Sequence, residues 1–164
     1  MFVGLGALIG VGALLVSPVF RQIIRAVPQT WLIGIHAIRL AGFVFLALAD
    51  MGRLPAEFAL AAGYGDMIVG LLALVSVYAL VNHKPYARAL AIGVNLPGML
   101  DFVSAFATGL ASIGPFVLQL EATGISPQYL NYVLIVPSFG VPVYALLHLY
   151  SLFQLFSRRA LYCS

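Results

Sequence analysis

Apolar positions along this chain fall into five long runs, separated by shorter connectors that carry charges, glycine or proline. A helix of about 20 apolar residues spans the hydrocarbon core of a bilayer, and each run is long enough to do so. The pattern therefore predicts an all-α protein that forms a single integral membrane domain over residues 1–164. Its five transmembrane helices are expected at about 2–20, 29–49, 58–81, 87–110 and 129–156.

The composition agrees with lipid as the main solvent. Hydrophobic residues make up 63% of the 164 positions, charged residues make up 8%, and the mean hydropathy is +1.07. Soluble domains contain about 45–50% apolar residues, so this excess indicates exposure to a bilayer. Cys163 is the single cysteine, which excludes an intramolecular disulfide and a cysteine metal cluster.

The connectors alternate in charge from one side of the predicted bundle to the other. One side carries basic pairs: Arg21 and Arg25, Lys84 and Arg88, and Arg158 and Arg159. The other side carries Asp50, Arg53, Glu57 and Glu121. The positive-inside rule then predicts an external N-terminus and a cytoplasmic C-terminus. The compact topology and the Ala-, Gly- and Arg-rich usage indicate a multi-pass protein of a bacterial inner membrane, and the few basic residues do not indicate nucleic-acid binding.

Glycine and proline mark where helices are expected to pack closely or to end. Ser112–Gln128 is predicted to be the longest connector, and its apolar centre is too short to cross a bilayer, so it is expected at the interface. The first run contains Gly6 and Gly10 at the GxxxG spacing of close helix pairs. This run is therefore the expected contact with a second copy or with other membrane subunits.

The second run carries His36 and Arg39 in the middle of apolar sequence. Their spacing of three places both on one face of a helix. An arginine that faces lipid costs about 3 kcal/mol or more. This face is therefore expected to point into a protein core or a watery cavity, where other runs supply its partners.

Polar residues on the other runs lie at matching depths when the helical rise is counted from the connectors. Asn95 and His148 fall near His36, Asp101 falls near the midplane with Arg39, and Asp66 lies in the outer half. Tyr144 shares a polar stripe with His148 on the fifth run. The candidate ligand-binding site therefore consists of His36, Arg39, Asp66, Asn95, Asp101, Tyr144 and His148.

The predicted cluster contains one arginine and two aspartates. With both carboxylates ionised and the histidines neutral, its net charge is negative, and an uncompensated buried charge is costly. One carboxylate is therefore expected to stay protonated, or a histidine to be charged, or a cation to bind. Each of these makes the site titratable, and the sequence leaves open which aspartate pairs with Arg39.

Three functions fit these features. The first is binding, with or without permeation, of a small polar ligand or a proton at the cluster. The second is electron transfer by a haem b whose axial ligands are His36 and His148. The third is a structural or accessory role in a larger membrane complex. The chain lacks the ligand spacings of zinc or di-iron sites and any motif that selects a reaction, so the leading interpretation is non-enzymatic, with no metal and no firm cofactor.

Overall fold

The computed structural model describes residues 5–122, 124, 126, 128 and 139–157, and every regular element in these residues is helical. The all-α class is therefore confirmed for this part of the chain. The helices are α1 (Leu5–Val16), α2 (Pro18–Ala26), α3 (Gln29–Asp50), α4 (Ala56–Val81), α5 (Ala87–Ala122) and α6 (Val141–Phe156). A 3₁₀ segment, Ile35–Gly42, forms the middle of α3.

Three helices are long and apolar enough to cross a membrane: α3, α4 and α5. The pair α1 and α2 makes a fourth span if a bend of 103° between its helices is accepted within one span. Helix α6 has 16 residues, fewer than the number that usually spans a bilayer. Residues 129–138 of the predicted fifth span lie outside the described residues. The structure thus supports three to four spans, and the five predicted from the sequence are not confirmed.

The predicted first span, 2–20, is interrupted at Ser17. Pro18 has no N–H and disfavours a helical conformation at the residue before it. Ser17 has extended backbone, and its Oγ accepts a hydrogen bond from the Phe20 N–H at 3.1 Å, so it caps a new helix. The connector predicted between the first two spans, 21–28, is thus largely helical, because α2 continues to Ala26.

The segment from Ser112 onwards, which the sequence predicts to be a connector, continues the helix of the predicted fourth span. Helix α5 runs for 36 residues to Ala122 and contains Pro97 and Pro115. The side chains of Thr108 and Ser112 donate hydrogen bonds to carbonyls one turn earlier, as polar residues do within a continuous helix. At about 1.5 Å per residue this helix exceeds a hydrocarbon core of about 30 Å, so one end must extend beyond it.

Two tight turns make α3, α4 and α5 antiparallel neighbours. Gly52 adopts the left-handed conformation with a φ of 66° after α3, and the Arg53 N–H returns to the Leu48 carbonyl at 2.8 Å. His83 has a φ of 48° after α4, and the Lys84 N–H returns to the Ala79 carbonyl at 2.9 Å. Both turns lie in the intervals between the second, third and fourth predicted spans.

Gly10 determines how the N-terminal helix packs. A Cβ at this position would overlap the Leu146 side chain and would lie 2.6 Å from the Tyr150 hydroxyl, so α1 rests against α6 at van der Waals contact. One glycine of the predicted GxxxG pair therefore makes a contact within the chain.

The bundle buries several polar side chains beside its apolar core and exposes many large apolar side chains on its outer faces. The buried polar side chains are Gln29, His36, Arg39, Ser76, Asn95, Ser112, His148, Ser151 and Gln154. Large apolar side chains such as Leu71 and Val103 are more than half exposed on the outer faces. Apolar surface is unfavourable in water and favourable in lipid, so this arrangement is compatible with a membrane protein.

Candidate functional site

The 3₁₀ segment of α3 positions His36 and Arg39, two central residues of the site. In a 3₁₀ helix residues i and i+3 eclipse one another, so a spacing of three forms a straight line along the helix. His36, Arg39 and Gly42 are the buried residues of this segment, and Ile33 precedes them at the same spacing. The segment therefore presents His36 and Arg39 to the same neighbouring helices, one directly above the other.

Arg39 forms ion pairs with aspartates from two other helices. Its Nε donates to Asp66 Oδ1 of α4 at 2.6 Å, and its Nη2 donates to Asp101 Oδ2 of α5. The arginine side chain is 2% exposed, and those of Asp66 and Asp101 are 18% and 8% exposed. The sequence left open which aspartate pairs with Arg39, and in the structure both do.

The remaining nitrogen of the guanidinium contacts α6. Arg39 Nη1 lies 3.2 Å from His148 Nε2, and the guanidinium carbon lies 4.2 Å from the centre of the Phe102 ring. The arginine thus connects four helices, with one nitrogen for each hydrogen-bonded neighbour and a cation–π contact on its face. Phe102 was not among the predicted site residues, because an aromatic residue in an apolar run carries no distinguishing signal.

A line of hydrogen bonds leads from Arg39 towards the start of α3. A guanidinium only donates, so His148 Nε2 accepts, and the ring proton resides on Nδ1. Nδ1 then donates to Asn95 Oδ1 at 2.9 Å, and Asn95 Nδ2 donates to Ser151 Oγ at 2.7 Å. Ser151 Oγ also accepts from Gln29 Nε2. This network fixes His148 as a neutral imidazole in one tautomer.

His36 is buried beside this line without joining it. Its ring stacks on His148 with centroids 3.7 Å apart and an angle of 8° between the planes. Tyr144 lies on another side, with ring centroids 5.5 Å apart. Neither His36 nitrogen has a hydrogen-bond partner among the described residues, although the residue is 0% exposed. Buried polar atoms are nearly always paired, so this imidazole is the unusual member of the cluster.

Glycines allow the helices to approach closely around the charges. A Cβ at Gly65 would overlap the Asp101 carboxylate, and one at Gly98 would overlap the His148 imidazole. At Gly42 it would come within 2.6 Å of the Asp66 Cβ. The backbone of these three glycines therefore packs directly against the cluster. A larger residue at any of them would push the helices apart.

The arrangement does not fit a haem between His36 and His148. Axial ligands stand on opposite sides of the macrocycle, with the iron between their nitrogens. Here the two rings are in face-to-face contact, and the His148 Nε2 lone pair accepts from Arg39. The described residues also contain no group of three or more His, Cys, Asp or Glu that could hold a metal ion.

All seven predicted site residues lie in one connected region. Sequence reasoning missed Gln29, because it reads as the polar boundary of an apolar run, and it missed the role of Gly65 and Gly98. Ser151 stands in the same polar stripe as Tyr144 and His148, which is the signal that could have included it. Depths counted from the connectors put Asp66 above Arg39 but within reach of its side chain, and the structure joins the two directly.

No curated protein and no solved structure matches this chain. One family model matches residues 1–156, which is most of the chain and includes the complete cluster. The chain therefore belongs to the family described as "Domain of unknown function (DUF8737)".

Proposed function

We propose that this chain is a multi-pass protein of a bacterial inner membrane that binds a proton at the charge cluster formed by Arg39, Asp66 and Asp101. The proposal rests on one observation: two buried carboxylates share a single arginine. The proposed role is non-enzymatic, because it consists of binding a proton and involves no reaction of a substrate.

Charge balance supports a bound proton. Two ionised aspartates and one guanidinium leave one negative charge, and the hydrogen-bonding pattern of His148 makes that imidazole neutral. A buried charge without a partner is costly in lipid. One proton on either carboxylate neutralises the cluster, and the protonated oxygen remains a hydrogen-bonding group. The Arg39 guanidinium then stabilises the carboxylate that stays ionised.

The packing favours a proton over a larger ligand. Gly65 lies against the Asp101 carboxylate and Gly98 against the His148 ring, with less space than a methyl group would need. A proton requires no cavity, whereas even a small polar molecule would have to separate α4 from α5. Among the ligands that the sequence suggested, the proton is the one that this closed arrangement supports.

We propose that the proton reaches the cluster at Asp66, which is the more exposed of the two carboxylates. Its side chain is 18% exposed, against 8% for Asp101. Beyond His148 the hydrogen bonds pass through the amides of Asn95 and Gln29. Amides hold their protons firmly, so this line does not relay a proton in its present form. We therefore propose binding, and permeation would require a second conformation.

Infrared difference spectroscopy on the protein in lipid tests the proposal. At neutral pH the wild type should show the carbonyl band of a protonated aspartic acid, whereas a free aspartic acid, with a pKa of about 3.9, is ionised there. Asp66→Asn or Asp101→Asn should remove the band, because the surviving carboxylate then pairs with Arg39 one to one.

Asp50→Asn is the matched control, since Asp50 is exposed at the end of α3 and should not contribute to the band. A wild-type spectrum without the band at neutral pH, and without its appearance during mild acidification, would contradict proton binding. The cluster would then be a permanent ion-pair network that holds four helices in register.

A further inference from the structure

The short helix α2 is fixed at a steep angle to α1. The two helices meet at 103°. Arg21 Nη1 donates to the Leu15 carbonyl at 2.7 Å and to the Leu14 carbonyl at 3.3 Å, which satisfies acceptors that the end of α1 leaves free. If α1 is oriented along the bilayer normal, α2 must run along the membrane surface.

Contacts with α6 hold α2 in this position. Ile24 is buried in a cluster with Leu32 and Tyr150. Buried Gln154 donates through Nε2 to the Ile24 carbonyl and, at 2.7 Å, to the Val27 carbonyl. The C-terminal carbonyls of α2 are thus bound to the protein, and α2 is a fixed part of the bundle.

One side of α2 remains uncovered and apolar. Ile23, Ala26 and Val27 share this side, and together with Pro28 and Trp31 they line an open groove of about 560 Å³. Ile23 is 55% exposed and Trp31 is 75% exposed. The apolar lining of this groove is suited to a hydrocarbon chain. Tryptophan is enriched at the boundary between headgroups and acyl chains.

The opposite side of α2 is basic. Arg21 and Arg25 are one turn apart there, and the exposed Arg25 guanidinium lies 5.3 Å from the centre of the Phe153 ring. Neither arginine has a carboxylate partner within 4.0 Å among the described residues. Arg88 reaches the same end of the bundle, where its Nη2 donates to the Leu155 carbonyl at 3.2 Å.

The acidic residues lie elsewhere. Asp50 and Glu57 flank the turn at the other end of α3, and Glu121 lies at the far end of α5 from Arg88. Asp66 and Asp101 are bound to Arg39. The end that carries α2 is therefore positively charged, with no acidic residue to offset it in the part of the chain that the structure describes.

We propose that α2 is an interfacial helix that binds an anionic phospholipid, with an acyl chain in the groove beside Trp31 and the headgroup beside Arg25. An amphipathic helix with a basic polar side binds anionic lipid surfaces in this way. In this arrangement the aliphatic part of the Arg25 side chain packs along the apolar surface, and its guanidinium extends to the lipid phosphate. This inference is independent of the charge cluster around Arg39.

Trp31 supplies the measurement, because it is the single tryptophan of the chain. The protein is reconstituted in two kinds of phosphatidylcholine vesicle. One contains a small fraction of brominated phosphatidylglycerol, and the other contains the same fraction of brominated phosphatidylcholine. Brominated phosphatidylglycerol should quench Trp31 more strongly at equal mole fraction. Arg25→Gln should lower this preference by about fivefold, the factor expected for one basic residue at an anionic surface. Arg25→Lys should retain the preference.

Arg53→Gln is the control, because Arg53 is an exposed arginine at the opposite end of the bundle. Circular dichroism verifies that each variant keeps its helix content. Salt provides a test without any variant: the preference of the wild type should fall between about 20 mM and about 500 mM NaCl. Equal quenching by the two brominated lipids, or a preference that is unchanged by both salt and Arg25→Gln, would overturn the proposal.

Discussion

Gly65 of α4 lies directly against the carboxylate of Asp101 of α5, at a separation that leaves no room for a Cβ. The aspartate reaches Arg39 across the position that a side chain at residue 65 would occupy. The ion pair therefore depends on an uncharged residue on a third helix, and this dependence can be measured.

Gly65→Ala should displace the Asp101 carboxylate from Arg39. Overpacking in a close-packed region costs about 1–3 kcal/mol, and breaking a buried ion pair adds to this. We expect a large fall in the free energy of unfolding, measured by denaturant titration in detergent micelles. Gly93→Ala is the matched control: Gly93 is also a helical glycine, but a Cβ there would meet no described atom within 4 Å, so the change should be neutral or slightly stabilising. If Gly65→Ala and Gly93→Ala change the free energy of unfolding equally, the Asp101–Arg39 ion pair does not depend on the missing side chain at Gly65.

Arg39→Leu should destabilise the protein by about 3–5 kcal/mol, because it leaves two buried carboxylates without their cation. The double variants Arg39→Leu/Asp66→Asn and Arg39→Leu/Asp101→Asn should each recover part of the lost free energy of unfolding. The triple variant should recover more than either double variant. Unfolding free energies over this set form a mutant cycle that separates the two pairs. If neither aspartate change recovers stability in the Arg39→Leu background, the charges do not interact as the structure places them.

The sequence identified the members of the cluster more successfully than their arrangement. A charge or imidazole in an apolar run is conspicuous, so His36, Arg39, Asp66 and Asp101 could be found without a structure. The 3₁₀ segment could not, because the hydrophobic pattern of eight residues does not distinguish it from an α-helix. A 3₁₀ helix rises about 0.5 Å more per residue, so depths counted along an α-helix place Arg39 too close to the start of α3. This difference moves Arg39 towards the depth that the sequence predicts for Asp66.

The helix boundaries show the same limit. Ser17-Pro18 is a common start of a helix, but the apolar run continues through it and therefore favours one uninterrupted span. Pro115 and the glycines around it suggest a connector, whereas α5 continues past them to Ala122. Apolar content shows which segments favour lipid, but it does not show where a helix begins or ends.

The membrane topology remains a prediction that reporter fusions can test. Fusions after Arg25, Lys84 and Ser164 should report the cytoplasm, and fusions after Arg53 and Glu121 the outside. The reason is the positive-inside rule, and the uniformly basic end around Arg25 and Arg88 agrees with it. Reversed signals at two or more sites would contradict the orientation, and Asp66 would then be the residue nearer the cytoplasm.

His36 and His148 make a matched pair for the last prediction, because they stack on each other but differ in their hydrogen bonds. His36→Phe keeps an aromatic ring on His148 and removes two buried nitrogens that have no partner among the described residues. An unpaired buried polar group costs about 1–3 kcal/mol, so this change should leave the free energy of unfolding unchanged or raise it. His148→Phe should lower it by a similar amount, because Arg39 Nη1 and Asn95 Oδ1 both lose their partner. Thermal and denaturant unfolding in the same detergent compare the two variants directly. If His36→Phe destabilises the protein as much as His148→Phe does, the His36 nitrogens are bonded in the membrane, by water or by a ligand, and the imidazole belongs to the binding site itself.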